Sequence, residues 1–183
     1  LFGDDAVTAA RALELTLTSR DKNKKDGLPM AGVPHHAGQA YLARLLEQGY
    51  KVAVCDQVED PKKAKGLVKR AVTRVVTPGV VVDDVALEPK RNNYLMAIWP
   101  GLAGYGLAWA DITTGELRGT LASDLPSAVA EIARVEPAEV LLPPASEPAF
   151  DAAVQRIGGC RTELDVDGFD AKRVPSPRKG ARK

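Results

Sequence analysis

Three segments that read as strands, Tyr94 to Trp99, Gly104 to Ile112 and Glu116 to Leu121, follow one another so closely that Thr113-Thr114-Gly115 alone joins the last two. A connection that short permits only a hairpin, so the three form an antiparallel meander. Leu125 to Val135 then carries apolar residues at helical spacing, and Glu139 to Leu142 is a short apolar run suited to a strand covered on both faces. A further helix is predicted from about Pro148 to Ile157. Meander, helix, strand, helix, strand is the order of an α/β domain.

The segments before this meander have a different character. Apolar residues recur at Ala6, Ala9, Ala10 and Leu13 behind Asp4 and Asp5, acids placed where a helix start favours them. Leu15-Thr16-Leu17-Thr18 alternates as a strand, and Asp21 to Gly27 is a polar loop with three lysines. From Ala37 to Gln48 a stripe of Ala40, Leu42, Leu45 and Leu46 predicts a second helix, with Gly49 placed for the left-handed cap that ends it. Tyr50 to Val58 reads as a buried strand and Ala71 to Thr77 as another strand, broken between them by Glu59-Asp60-Pro61 and a loop from Lys62 to Gly66. The pair Pro78-Gly79 closes this unit.

Charge divides along the same line. The 183 residues carry a formal net charge of +1, yet Arg20 to Arg74 amounts to +6, Asp83 to Phe169 to −8, and the last fourteen residues to +5. Block separation of this kind gives the first half a polyanion to face and the second half a different partner. With 45% hydrophobic and 27% charged residues the chain is too apolar for wholesale disorder. No run of about 18 apolar residues and no leader pattern occurs, so neither a membrane span nor secretion is expected. Cys55 and Cys160 lie far apart without metal-ligand spacing and are read as buried, inert thiols.

Two basic clusters stand out. Arg20-Asp21-Lys22-Asn23-Lys24-Lys25 places four cations within six residues, and Lys62, Lys63, Lys65, Lys69, Arg70 and Arg74 form the second set. Either is a solvated surface or a set of phosphate contacts, which position a duplex without reading its sequence. Arg70 is the strongest single candidate, because a guanidinium bridges phosphate oxygens bidentately. His35 and His36 are adjacent, with no carboxylate at helical spacing, and a metal site is not expected there.

The stretch Gly27-Leu28-Pro29-Met30-Ala31-Gly32-Val33-Pro34-His35-His36, continuing through Tyr41-Leu42 to Ala53-Val54-Cys55-Asp56-Gln57, together with Val75-Val76-Thr77-Pro78-Gly79, closely resembles the amino-terminal domain of the MutS family of DNA mismatch-repair proteins. The resemblance implies an α/β chain: a mixed-sheet mismatch-recognition domain over residues 1–82, a linker at 83–92, a partial RNase H-like connector domain at 93–168, and a basic disordered tail at 169–183. It also implies that the family's mismatch probe, Phe-Xaa-Glu, ends immediately before Leu1, so that Phe2 is not the base-stacking phenylalanine and the chain is an amino-terminally truncated piece. By the same resemblance Arg20, Lys22, Lys24, Lys25, Lys65, Lys69 and Arg70 contact the DNA backbone, while Pro29 and Met30 approach the minor groove.

For the complete family the resemblance implies ATP and magnesium as cofactors and an ATPase activity. Its implied partners are double-stranded DNA with mismatches or small loops, MutL, and a second copy in a homodimer, in a cytoplasmic, nucleoid-associated setting. This sequence has no Gly-Xaa-Xaa-Xaa-Xaa-Gly-Lys-Ser/Thr loop, so no cofactor and no enzymatic activity are expected of it. Two other readings stand beside this one. Asp111, on an early strand of an RNase H-like fold, is where a metal-dependent nuclease would place its first ligand, with Asp124 and Glu131 as its partners. Alternatively the chain is a protein-interaction fragment whose basic loops are incidental.

Overall fold

The structure is a computed structural model that describes residues 1–19, 27–60, 66–80 and 92–165. Two units divide between Asn93 and Tyr94. In the first, Asp4 and Asp5 open helix α1 (Gly3–Leu13), which buries Ala6, Ala9 and Leu13 on one face. It ends as Glu14 turns left-handed at φ 58° and donates its backbone N–H to the Ala10 carbonyl.

The strand expected over Leu15 to Thr18 is reduced to β1 (Thr18–Ser19), which pairs antiparallel with β2 (Pro29–Met30). Leu15 packs instead against the buried Ala9, Leu13 and Leu45. Pro29 contributes no N–H to a longer ladder. Tertiary packing of one leucine thus overrides the alternating pattern.

A 3₁₀ turn at His35–Ala37 leads into α2 (Gly38–Glu47), whose Ala43, Leu45 and Leu46 are buried. Gly49 adopts φ 81°; its N–H reaches the Leu46 carbonyl at 2.9 Å, and that of Tyr50 reaches Leu45 at 3.0 Å. These bonds satisfy carbonyls that a helix end would otherwise leave open. The Gln48 Nε2 donates to the Ala12 carbonyl at 3.0 Å and ties the end of α2 to α1. Strands β3 (Val52–Gln57) and β4 (Arg70–Val76) follow as an antiparallel ribbon, and a second 3₁₀ turn spans Pro78–Val80; β3 is not the buried strand expected, since in a two-stranded ribbon only Val52 and Val54 are half-buried and the rest of it is exposed. The described strands of this unit form two such ribbons.

The second unit holds the mixed sheet. Strands β5 (Tyr94–Gly101), β6 (Gly104–Asp111) and β7 (Glu116–Ala122) form the meander, and β8 (Glu139–Leu142) and β9 (Cys160–Glu163) join parallel, in the order β7-β6-β5-β8-β9. Gly104 is required at the first hairpin, because at φ 123° an added Cβ would lie 2.1 Å from the Ala122 carbonyl oxygen. Helices α3 (Leu125–Val135) and α4 (Pro148–Arg156) supply Ala128, Ile132, Phe150, Ala153 and Val154 to a core whose floor includes Met96, Ile98, Leu107, Trp109 and Val140. The register places those strand residues on one sheet face.

Asp124 caps α3, its Oδ1 accepting the Ser127 N–H at 2.8 Å. This backbone hydrogen bond holds the carboxyl below its ordinary range. A depressed folded-state value contributes stability above the unfolded-state pKa and loses it as pH falls through the folded value. Asp124→Asn, whose amide oxygen caps at every pH, is therefore expected to flatten the acid limb of second-unit stability below about pH 4. Urea titrations followed by tryptophan fluorescence would measure this; an acid limb identical to wild type would remove the cap from the account.

Candidate nucleic-acid interface

Arg70 opens β4 opposite Gln57, the last residue of β3. The mouth of the ribbon is closed by backbone and side chain together: Val58 donates its N–H to the Lys69 carbonyl at 3.0 Å, and the Lys69 N–H donates to Glu59 Oε1 at 2.5 Å. The acid within this basic stretch is thus a turn fastener. Lys69 and Arg70 themselves are exposed.

A bulge decides which cations share a face. Val54 pairs with Arg74 and Cys55 with Val72, so Thr73 is the extra residue on β4. Its hydroxyl donates to Asp56 Oδ2 at 2.5 Å, on the same face as Ala71. Without the bulge, Arg70 and Arg74 would stand four residues apart on one side of the strand. With it, Arg70 shares its face with Gln57, Cys55 and Val72, all exposed, so that of the two thiols expected to be buried only Cys160 is, whereas Arg74 stands with Val54 on the other face. The basic set grouped in the sequence is therefore divided.

Pro29 and Met30 are half-buried in β2, where Met30 lies opposite Thr18 and forms an isolated bridge with Phe2. The backbones of Leu1 and Ala31 exchange hydrogen bonds of 3.0 and 3.2 Å beside them. This segment is thus fixed to the chain preceding α1. Arg20, Lys22, Lys24, Lys25, Lys62, Lys63 and Lys65 lie outside the described residues, in the segments joining β1 to β2 and β3 to β4. The expected basic tail and most of the linker also lie outside them.

Sequence reasoning missed Gln57 and Glu59 as parts of this site. Glu59 was legible only as a strand breaker, and Gln57 gains its place solely by standing opposite Arg70.

The nuclease reading receives no support. Asp111 is 1% exposed, and its Oδ1 accepts the Thr113 N–H at 2.9 Å and the Thr113 hydroxyl at 2.6 Å, while its carbonyl accepts the Gly115 N–H at 2.8 Å. It builds the β6–β7 turn. Asp124 is the cap described above, and Glu131 accepts two hydrogen bonds from Arg134, which hold its carboxyl below the ordinary range. Among the described residues no three His, Cys, Asp or Glu side chains gather as a metal site. His35 and His36 are exposed on the 3₁₀ turn.

The two units correspond to two adjoining domains of one class of protein. The family model for MutS domain I matches residues 1–85, and that for MutS domain II matches residues 93–172. The DNA mismatch repair protein MutS of Symbiobacterium thermophilum is 53% identical over 163 residues, covering 86% of this chain and 19% of the relative. That of Syntrophobacter fumaroxidans is 47% identical over 177 residues, covering 95% of this chain and 20% of the relative. That of Desulfatibacillum aliphaticivorans is 50% identical over 171 residues, covering 93% and 19%. The chain belongs to the MutS family, and it spans about a fifth of the length of these curated relatives.

Proposed function

We propose that this chain serves DNA mismatch repair as a duplex-binding module: the first unit lies along the DNA backbone, and the second links it to the rest of a larger MutS protein. The observation that carries this reading is the exposed mouth of the β3–β4 ribbon, where Lys69 and Arg70 stand clear of the protein and the bulge turns Arg74 away. Arg20, Lys22, Lys24, Lys25 and Lys65 extend the backbone contact, and Pro29 and Met30 border the minor groove.

ATP and magnesium belong to the complete family. They find no phosphate-binding loop in this sequence, so we assign the chain binding and no hydrolysis of its own. MutL, homodimer formation and a cytoplasmic, nucleoid-associated location are likewise assigned to the whole protein. Among the described residues no helix is long and apolar enough to cross a membrane.

The test compares Arg70→Ala with Arg74→Ala by fluorescence anisotropy on a labelled duplex over a salt series. Losing one phosphate contact makes the slope of log affinity against log salt shallower by about 0.9. Arg70→Ala is expected to show that change and Arg74→Ala to keep the wild-type slope. An unaltered slope and affinity in Arg70→Ala would overturn the assignment.

A further inference from the structure

We propose that Thr73, held by Asp56, is a positioning residue for duplex binding: the bulge it forms keeps Arg70 on the outward face of the β3–β4 ribbon. The proposal rests on the reading of Arg70 as a phosphate contact. The two faces of the ribbon differ in burial. Its half-buried members, Val52, Val54, Ala71 and Val76, all stand on one side, whereas Ala53, Cys55, Gln57, Arg70, Val72 and Val75 stand on the other and are exposed throughout.

This division holds only in the bulged register. Were Thr73 drawn into the ladder opposite Cys55, Val72 would move opposite Asp56, Ala71 opposite Gln57 and Arg70 opposite Val58. All three would change face, because side chains alternate and a slip of one residue inverts them. Arg70 would then join Arg74 on the side that carries the half-buried residues. The inversion falls on this end of β4, since the other end is anchored: Val52, opposite Val76, packs against the buried Ala9, Leu13 and Leu45, and Pro78 and Gly79 beyond Val76 are buried.

The Thr73 hydroxyl selects between the two registers. It donates to Asp56 Oδ2 at 2.5 Å and lies 3.3 Å from the Val54 carbonyl oxygen. Placed opposite Cys55, the same side chain would point away from Asp56, so this bond exists only with the bulge in place. The bond from the Val58 N–H to the Lys69 carbonyl, at 3.0 Å, depends on the same register. A bulge is a recurrent means of re-aiming a side chain beside a site.

Two measurements on the full 183-residue chain test this. The first needs no DNA. In a Cys55→Ser background, with Cys160 buried, thiol alkylation at Val72→Cys is compared with that at Ala71→Cys. The ratio of the two rates is expected to exceed one, and Thr73→Val to lower it at least about twofold, whereas unfolding would raise both rates. The second is duplex anisotropy over a salt series. Thr73→Val is expected to weaken binding about threefold and to make the salt slope shallower, Thr73→Ser to keep wild-type affinity, and Thr73→Val on an Arg70→Ala background to add nothing further. An Arg70→Ala chain that binds like wild type would overturn the phosphate-contact reading and this proposal with it. Where Arg70→Ala does weaken binding, an unchanged alkylation ratio, a Thr73→Val chain of wild-type affinity, or a Thr73→Val effect of equal size on both backgrounds would each overturn the positioning role alone.

Discussion

Affinity of this chain for a short duplex is expected to fall by roughly two orders of magnitude when monovalent salt rises about fourfold, from about 50 to 200 mM. The size corresponds to about four phosphates neutralised among the seven cations assigned to the backbone, Arg20, Lys22, Lys24, Lys25, Lys65, Lys69 and Arg70, which makes the slope of log affinity against log salt about −3.6. Matched and mismatched duplexes are expected to bind alike, because phosphate contacts carry no sequence or pairing information and the 183 residues contain no Phe-Xaa-Glu. Anisotropy titrations on paired duplexes differing by one mismatch measure both quantities. A slope near zero, or a strong mismatch preference that survives moderate salt, would contradict the backbone-contact reading. The acidic second unit makes no duplex contact in this account, so neutralising its exposed Glu163 should leave the slope unchanged.

Why some of this was readable in the sequence and some was not follows from the range of the interactions concerned. Helix α3 and strand β8 have the bounds their patterns predict, since Asp124, the helical spacing of Ala128 and Ile132, and the run Glu139 to Leu142 are local signals. The meander is equally local, its turn fixed by Thr113 bonding Asp111 two residues away. Asp111 stood out in the sequence only by analogy, as a candidate first metal ligand, and its partner in the next turn, rather than a distant carboxylate, gives it its role. The face of Arg70 was not legible. It depends on a register shift between strands joined by a dozen residues, and one extra residue, Thr73, reverses the side on which Arg74 stands. The same limit governed Leu15, whose alternating neighbours said strand while its packing against α1 and α2 decided otherwise.

Phe150→Ala is expected to cost the second unit about 3–5 kcal/mol, the range for removing a buried aromatic without collapse of the site. Phe150 is 1% exposed, and its ring meets Tyr105 edge to face at 5.4 Å with an interplanar angle of 77°. It stands on α4 above the sheet, so its removal leaves a void walled by strand residues that regular pairing holds in place and that cannot move in to fill it. A loss that large is a considerable fraction of the stability of a domain this size. The chain supplies its own reporter: both tryptophans, Trp99 and Trp109, belong to the second unit, and Trp109 is buried in the same core beneath the Arg134 guanidinium, 5.4 Å from the ring centroid. Urea unfolding followed by tryptophan emission therefore reads this unit alone, with the first unit silent. Leu102→Ala, at a fully exposed hairpin tip, is the control and should shift stability by less than about 0.5 kcal/mol. A Phe150→Ala midpoint as close to wild type as that of the control would mean that α4 does not close this core in solution, and the α/β packing described for the second unit would have to be abandoned.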